Sequence, residues 1–250
     1  MILTAITLKV CAWVGGGLYA IAVLFPKKCA LLFTILGIIA ISCVITGEYY
    51  RCGEPPFGNV YHVMALLAWV LGAMTLFRQN DRLFLNANRL MAALFAIGCG
   101  FLVTEGVWQR PQALQSPFFI PHVGCYILGY AFCCCAALLA LLALVNKKWR
   151  ENAGHWSIRY SEAGWVLMTF GLALGALWAE QAWGRFWSWD VKECWSLITW
   201  IFYAAAVHQA WQERTASPRV LVLILAGFTA LAITLIAVNY FGSGSLHTYN

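Results

Sequence analysis

Charge is scarce in this sequence. Lys and Arg number 16 and Asp and Glu number 10 among 250 residues, so charged residues make up only 10%. A soluble domain carries about 25%. With 62% hydrophobic residues, the chain cannot cover a water-facing surface. That excludes a cytosolic globular enzyme, a disordered regulator and a nucleic-acid binder. Low-complexity tracts, long linkers and internal repeats are lacking too. So is any Cys-x-x-Cys pair, although there are ten cysteines. Its absence leaves no thioredoxin-like redox pair and no zinc knuckle. Cys11, Cys29, Cys43, Cys99 and Cys133 to Cys135 lie inside apolar segments, where a thiol acts as a small hydrophobe. Cys52 and Cys194 are expected near the outer surface as structural thiols, with a disulfide from Cys52 to a partner as the alternative.

What is present is long apolar runs. Charge-free gaps cover 10–26, 29–47, 55–77, 90–104, 111–146, 163–179, 194–212 and 220–250. A membrane helix needs roughly 20 apolar residues, about 17 at the lower limit. Seven gaps reach that limit, and the eighth does so by running past Glu105 towards Trp108. The pattern predicts helices at about 8–25, 29–46, 59–77, 88–107, 122–145, 162–179, 191–211 and 220–241. The expected fold is all-α: a polytopic membrane helical bundle of about eight transmembrane helices, one integral membrane domain over 1–250. The first run lacks a clear small-residue cleavage site and reads as an uncleaved span rather than a signal peptide.

Basic residues orient the bundle. Lys27, Lys28, Arg78, Arg82, Arg89, Lys147, Lys148, Arg150, Arg159, Arg214 and Arg219 fall on one side, eleven of the sixteen. Lys9, Arg51, Arg110, Arg185 and Lys192 fall on the other. The richer side is expected to be cytoplasmic, which puts both termini outside. The net charge of +6 then reflects cytoplasmic loops.

The outer loop before helix seven is unusual. Segment 178–200, WAEQAWGRFWSWDVKECWSLITW, holds six of the thirteen tryptophans: Trp178, Trp183, Trp187, Trp189, Trp195 and Trp200. An aromatic belt at a membrane interface spreads its rings over many helix ends. Here Trp183, Phe186, Trp187 and Trp189 crowd into seven residues. A dense indole shelf suits a large, flat, apolar ligand. Asp190 and Glu193 fit a capping box that starts helix seven, in preference to a catalytic acid–base pair. Arg185 and Lys192 are the cations available to a ligand's carboxylates.

The five histidines differ in setting. His155 is expected in the basic cytoplasmic loop, as a solvated residue. His62, at the start of helix three, reads as structural. His122 and His247 lie at the level of the tryptophan loop, from different parts of the chain. Two imidazoles across a flat apolar shelf are what a six-coordinate haem iron needs. A pair of interfacial polar residues is the competing reading. Glycines 242 and 244 let the tail fold back over the shelf. His208 lies fifteen residues past Glu193, about 22 Å deeper along one helix. An ionisable group there is a functional candidate, with snorkelling to the cytoplasmic interface as the alternative.

The residues WGRFWSWDVKECWSLITW, followed by YAAAVH, resemble the tryptophan-rich WWD signature of the membrane cytochrome c assembly proteins, in particular the CcsA (ResC) family of System II cytochrome c synthases. The similarity extends to PHVGCYILGYAF around His122, to NVYHVMALLAW and to the ending VNYFGSGSLHTY, so it covers the chain from about residue 55. The resemblance implies that His122 and His247 are axial ligands of haem iron and that His208 receives haem on its way out. It implies that Trp183, Trp187, Trp189, Asp190 and Trp195 belong to the loop that holds the porphyrin. Haem b would be cargo, exported and held at an external WWD site for thioether attachment to the C-x-x-C-H motif of apocytochrome c. The implied partner is a CcsB (ResB)-like membrane protein, together forming a cytochrome c synthase, or haem lyase, complex; a thioredoxin-like thiol reductant is a further candidate. The implied location is the cytoplasmic (inner) membrane, or a thylakoid membrane in a plastid.

The chain departs from the family pattern W-D-P-K-E-T-W at Val191 and Cys194. Val191 forgoes the proline favoured at the first helical position. His62 stands where relatives commonly have an acidic residue. The alternative within haem handling is a System I CcmC-like protein that loads a haem chaperone. Outside it are a small-molecule transporter, which predicts Gly/Pro-broken spans in two matching halves, and a structural subunit of a respiratory complex, which predicts no haem on the isolated chain.

Overall fold

A computed structural model describes residues 4–77, 81–107 and 112–237, and the regular structure among them is entirely helical. Eight α-helices follow in order: α1 Ala5–Leu24, α2 Lys27–Cys52, α3 Val60–Phe77, α4 Arg82–Leu102, α5 Phe119–Val145, α6 Arg150–Trp183, α7 Val191–Glu213 and α8 Pro218–Ala232. A 3₁₀ turn, Gln112–Gln115, precedes α5, and a π-helical turn, Ile233–Ala237, extends α8. Helices α1 to α6, and α8 taken together with its π-helical turn over Pro218–Ile236, are long and apolar enough to cross a membrane. At 23 residues α7 is long enough, but Trp195, Trp200, Tyr203, His208, Gln209 and Trp211 make its most apolar stretch less so than those of the others. The chain is an integral membrane protein with the expected all-helical architecture.

Local chemistry sets the helix ends. Thr4, Asp81, Asp190 and Ser217 accept backbone N–H groups at the starts of α1, α4, α7 and α8. Pro218 follows Ser217 at the first helical position, where its missing N–H does no harm. Gly53 and Gly184 close α2 and α6 in the left-handed conformation.

Two helices start six or more residues earlier than the charge pattern predicts. α6 begins at Arg150 rather than near 162, so His155 and Arg159 lie on a helix and not in a loop. α4 begins at Arg82 rather than near 88, which puts Arg89 inside it. Charges mark where a span leaves hydrocarbon, whereas a helix continues as long as packing supports it. The early turns of α6 do pack: Ser157 Oγ donates to the Ala136 carbonyl at 2.8 Å, and Ala153, Ser157 and Tyr160 are buried. Arg89 is buried and its Nε donates to Thr34 Oγ1 at 3.0 Å.

The chain divides into two compact units, Met1–Arg110 and Pro111–Asn250. In the first, α1 packs on α2 and α4, and α3 on α2 and α4. The Tyr19 ring is fully buried against Gly37 and Gly72, where any larger residue would meet it. In the second, α5 packs on α6 and α8, and α7 on α6 and α8. Trp211 meets Glu162 while Trp200 meets Thr169 and Trp165, so α6 and α7 run antiparallel. The loop 184–190 is the turn between them.

Candidate haem-handling site

The tryptophan loop is held by one carboxylate. Glu193 Oε2 accepts from the backbone N–H of Ser188 at 2.8 Å and of Asp190 at 3.3 Å, and Oε1 accepts from the Ser188 hydroxyl at 3.1 Å. Asp190 Oδ1 in turn accepts from the Glu193 N–H at 2.8 Å. The expected capping box is therefore formed, with Asp190 in the cap position. Glu193 grips the chain on both sides of Trp189, which adopts φ 60°, the left-handed region. A non-glycine residue there costs about 1 kcal/mol or more. Hydrogen bonds to a charged group contribute roughly 1.5–3 kcal/mol each, so the grip outweighs the strain. The result is a Trp189 side chain that is 70% exposed.

His122 is placed by α6. Its Nδ1 donates to the Gly171 carbonyl at 2.8 Å. The ring stacks on Trp178, with centroids 5.5 Å apart and planes at 28°, and meets Tyr126 edge-on at 5.1 Å. Gly175 supplies the room: a Cβ there would lie 2.6 Å from both Cε1 and Nδ1 of His122. A carbonyl only accepts, so Nδ1 carries the proton. In the neutral ring the lone pair is then on Nε2, the arrangement that a metal-ligating histidine needs.

Trp178 links this histidine to the loop. It is 2% exposed, packs on Phe119 at 5.3 Å and takes Trp183 edge-on at 4.8 Å. Trp187 and Trp189 form a second edge-on pair at 5.9 Å. The Trp187 indole N–H is buried with no hydrogen-bond partner among the described residues. Trp195 is half-buried on the second turn of α7. Trp178 is a site member that the sequence does not single out, although it opens the tryptophan-rich segment. In the sequence it is one aromatic among many; its stack on His122 is what gives it a role.

The remaining histidines separate. His208 lies well down α7 and is exposed; its Nε2 accepts from Gln212 Nε2 at 2.9 Å. His247 lies outside the described residues. His62 is 1% exposed, and its Nε2 lies 3.3 Å from Glu48 Oε2. Glu48, Cys52 and His62 bring three donor atoms within 4.8 Å of one another, as a metal site does. The protons argue otherwise. The Asn59 N–H donates to His62 Nδ1 at 3.3 Å, so the ring proton is on Nε2, facing Glu48. Tyr61, Cys52 and Arg51 donate to the same carboxylate at 3.1, 3.6 and 2.6 Å. This is a paired, hydrogen-bonded core group, and Arg51 further ties it to the carbonyls of Thr104 and Glu105. The structural reading of His62 agrees with this geometry. All ten cysteines are free thiols.

Comparison with known proteins places the chain. Over 92% of its length it is 27% identical to the "Cytochrome c biogenesis protein CcsA" of Pyropia yezoensis, covering 91% of that protein. It is 29% identical to the protein of the same name from Prochlorococcus marinus, over 90% of this chain and 85% of that one. A third of that name, from Guillardia theta, is 29% identical over 86% of this chain and 83% of the relative. Among solved structures, "Cytochrome c Heme Lyase CcmF" superposes with a TM-score of 0.67 at 16% identity over 93% of this chain, a likeness of fold. The chain spans 46% of that larger protein. Residues 57–246 match the family described as "Cytochrome C assembly protein". That match covers the α3–α8 region, the tryptophan loop and both candidate ligand positions, and the chain belongs to the cytochrome C assembly protein family.

Proposed function

We propose that this protein serves cytochrome c biogenesis by carrying haem, as cargo, to an outer site built from loop 178–200 and holding it there for attachment to apocytochrome c. The observation that carries this reading is the His122 imidazole. It is clamped at Gly171 and Trp178 beside the tryptophan loop, with its proton on Nδ1 and its lone pair on Nε2. A ring nitrogen held by a carbonyl, with the lone pair on the other, is the arrangement in which a histidine ligates a metal. His247 is the proposed second ligand, and His208 the residue that receives haem within the membrane. The buried Trp187 N–H suits an oxygen of the cargo, since an orphaned buried donor calls for a partner. Haem and the substrate thiols supply the reactivity; the protein orients and shields them. Both termini are proposed to face outward, and a CcsB-like membrane protein to be the partner.

The test is an absorbance spectrum of the chain purified in mild detergent with that partner, before and after dithionite. A Soret band with sharp reduced α and β bands is expected. His122→Ala should abolish the six-coordinate spectrum. Unchanged haem content and unchanged cytochrome c maturation in the His122→Ala/His247→Ala double variant would overturn the reading.

A further inference from the structure

The α6–α7 pair carries a second feature at the end away from the tryptophan loop. A cleft of about 320 Å³ lies there, lined by His155, Ile158, Arg159 and Glu162 of α6 and by Ala210, Trp211 and Arg214 of α7. Some 20 residues of each helix, about 30 Å, separate it from the loop. Its volume is near the lower end for small-molecule sites.

The charges in the cleft do not cancel. Glu162 is satisfied from within: Trp211 Nε1 donates to its Oε1 at 2.8 Å, and Arg159 donates to its Oε2 at 3.4 Å. Arg214 has no ion-pair partner among the described residues and closes α7 at φ 54°, its N–H bound to the Ala210 carbonyl. His155 adds a second donor-bearing side chain. Trp211 is 60% exposed and offers an apolar face next to these cations. It sits three residues beyond the exposed His208, on the neighbouring row of the same helix. Guanidinium groups beside an indole face suit an anionic oxygen group borne on an apolar body.

We propose that this cleft binds the anionic oxygen group of an amphiphile, the haem carboxylates being one source of that chemistry and a phospholipid phosphate the other. The haem source rests on the reading of the chain as a haem carrier. In that case the two arginines hold the carboxylate edge, Trp211 lies against the ring and His208 is within the ligand's reach.

The experiment uses the full chain and reads the two ends separately. Haem and haem dimethyl ester are titrated into the His122→Ala/His247→Ala variant in detergent, with and without Arg159→Gln/Arg214→Gln. Both arginines are on the surface, so the variants should fold; Lys147→Gln, exposed outside the cleft, controls for generic charge. In parallel, each protein is assayed in nanodiscs for enrichment of phosphatidylglycerol over phosphatidylcholine. Loss of a charged pair should weaken binding about tenfold. Haem affinity lowered about tenfold both by the arginine changes and by esterification assigns the carboxylate source. Phosphatidylglycerol enrichment lost with the arginines assigns the phosphate source. If neither responds to the arginines more than to Lys147→Gln, the proposal falls. A wild-type chain that never gives a six-coordinate spectrum sinks the loop reading instead, whatever the cleft does.

Discussion

A single imidazole carries more of the site's chemistry than any other side chain. His122 depends on three neighbours: a carbonyl that sets its proton, an indole that sets its plane and a glycine that leaves it room. The glycine is the easiest to test. Gly175→Ala leaves every polar partner in place but puts a methyl group where the ring now lies. Helix α6 should be no less stable, because alanine is the better helix former. The imidazole must turn away. The expected result is full-length, folded protein whose haem spectrum is weakened or converted to five-coordinate, checked by absorbance against circular dichroism. A wild-type spectrum from Gly175→Ala would show that the close approach of α5 and α6 is not what positions His122.

At the level of the element, the tryptophan loop is specified by its exit. Glu193 belongs to α7 yet bonds to three groups on the loop side of the cap. Asp190 makes the reciprocal contact. Asp190→Ala removes one cap interaction and should cost about 1 kcal/mol. Glu193→Ala releases Ser188 and Asp190 together and frees Trp189 from its left-handed conformation, so a larger loss, about 2–3 kcal/mol, is expected. Tryptophan fluorescence during denaturant unfolding in detergent should give that order; the reverse order would show that the carboxylate does not organise the loop. The capping box is legible in the sequence because its spacing is local. The Glu193–Ser188 contact is not, since nothing in the sequence says how the loop doubles back. The starts of α4 and α6 escape the sequence for a related reason. Charge density locates the membrane boundary, while Ser157 and Tyr160 extend α6 beyond it through contacts with α5. Trp178 and Gly175 become site residues only where α5 lies beside α6.

For the whole molecule, the proposed orientation makes a direct prediction. Arg185 and Lys147 are both exposed, at opposite ends of α6. In intact cells a membrane-impermeant maleimide should label Arg185→Cys above the background of the ten native thiols. Lys147→Cys should become labelled only after permeabilisation. The opposite pattern would invert the topology and place the tryptophan loop inside. The number of helices is readable from apolar runs, and the orientation is an inference from where the basic residues fall.

Helix α6 runs 34 residues without a break, about 51 Å, well beyond the roughly 30 Å of a bilayer's hydrocarbon core. One rod therefore carries Gly171 and Gly175 at one level and Arg159 and Glu162 nine to sixteen residues nearer its start, roughly 14–24 Å away. A tilt of α6 that opens the cleft between its basic end and α7 must also swing the carbonyl that orients His122. The helix behaves as a lever: the two ends of the second unit share a moving part and cannot be adjusted independently.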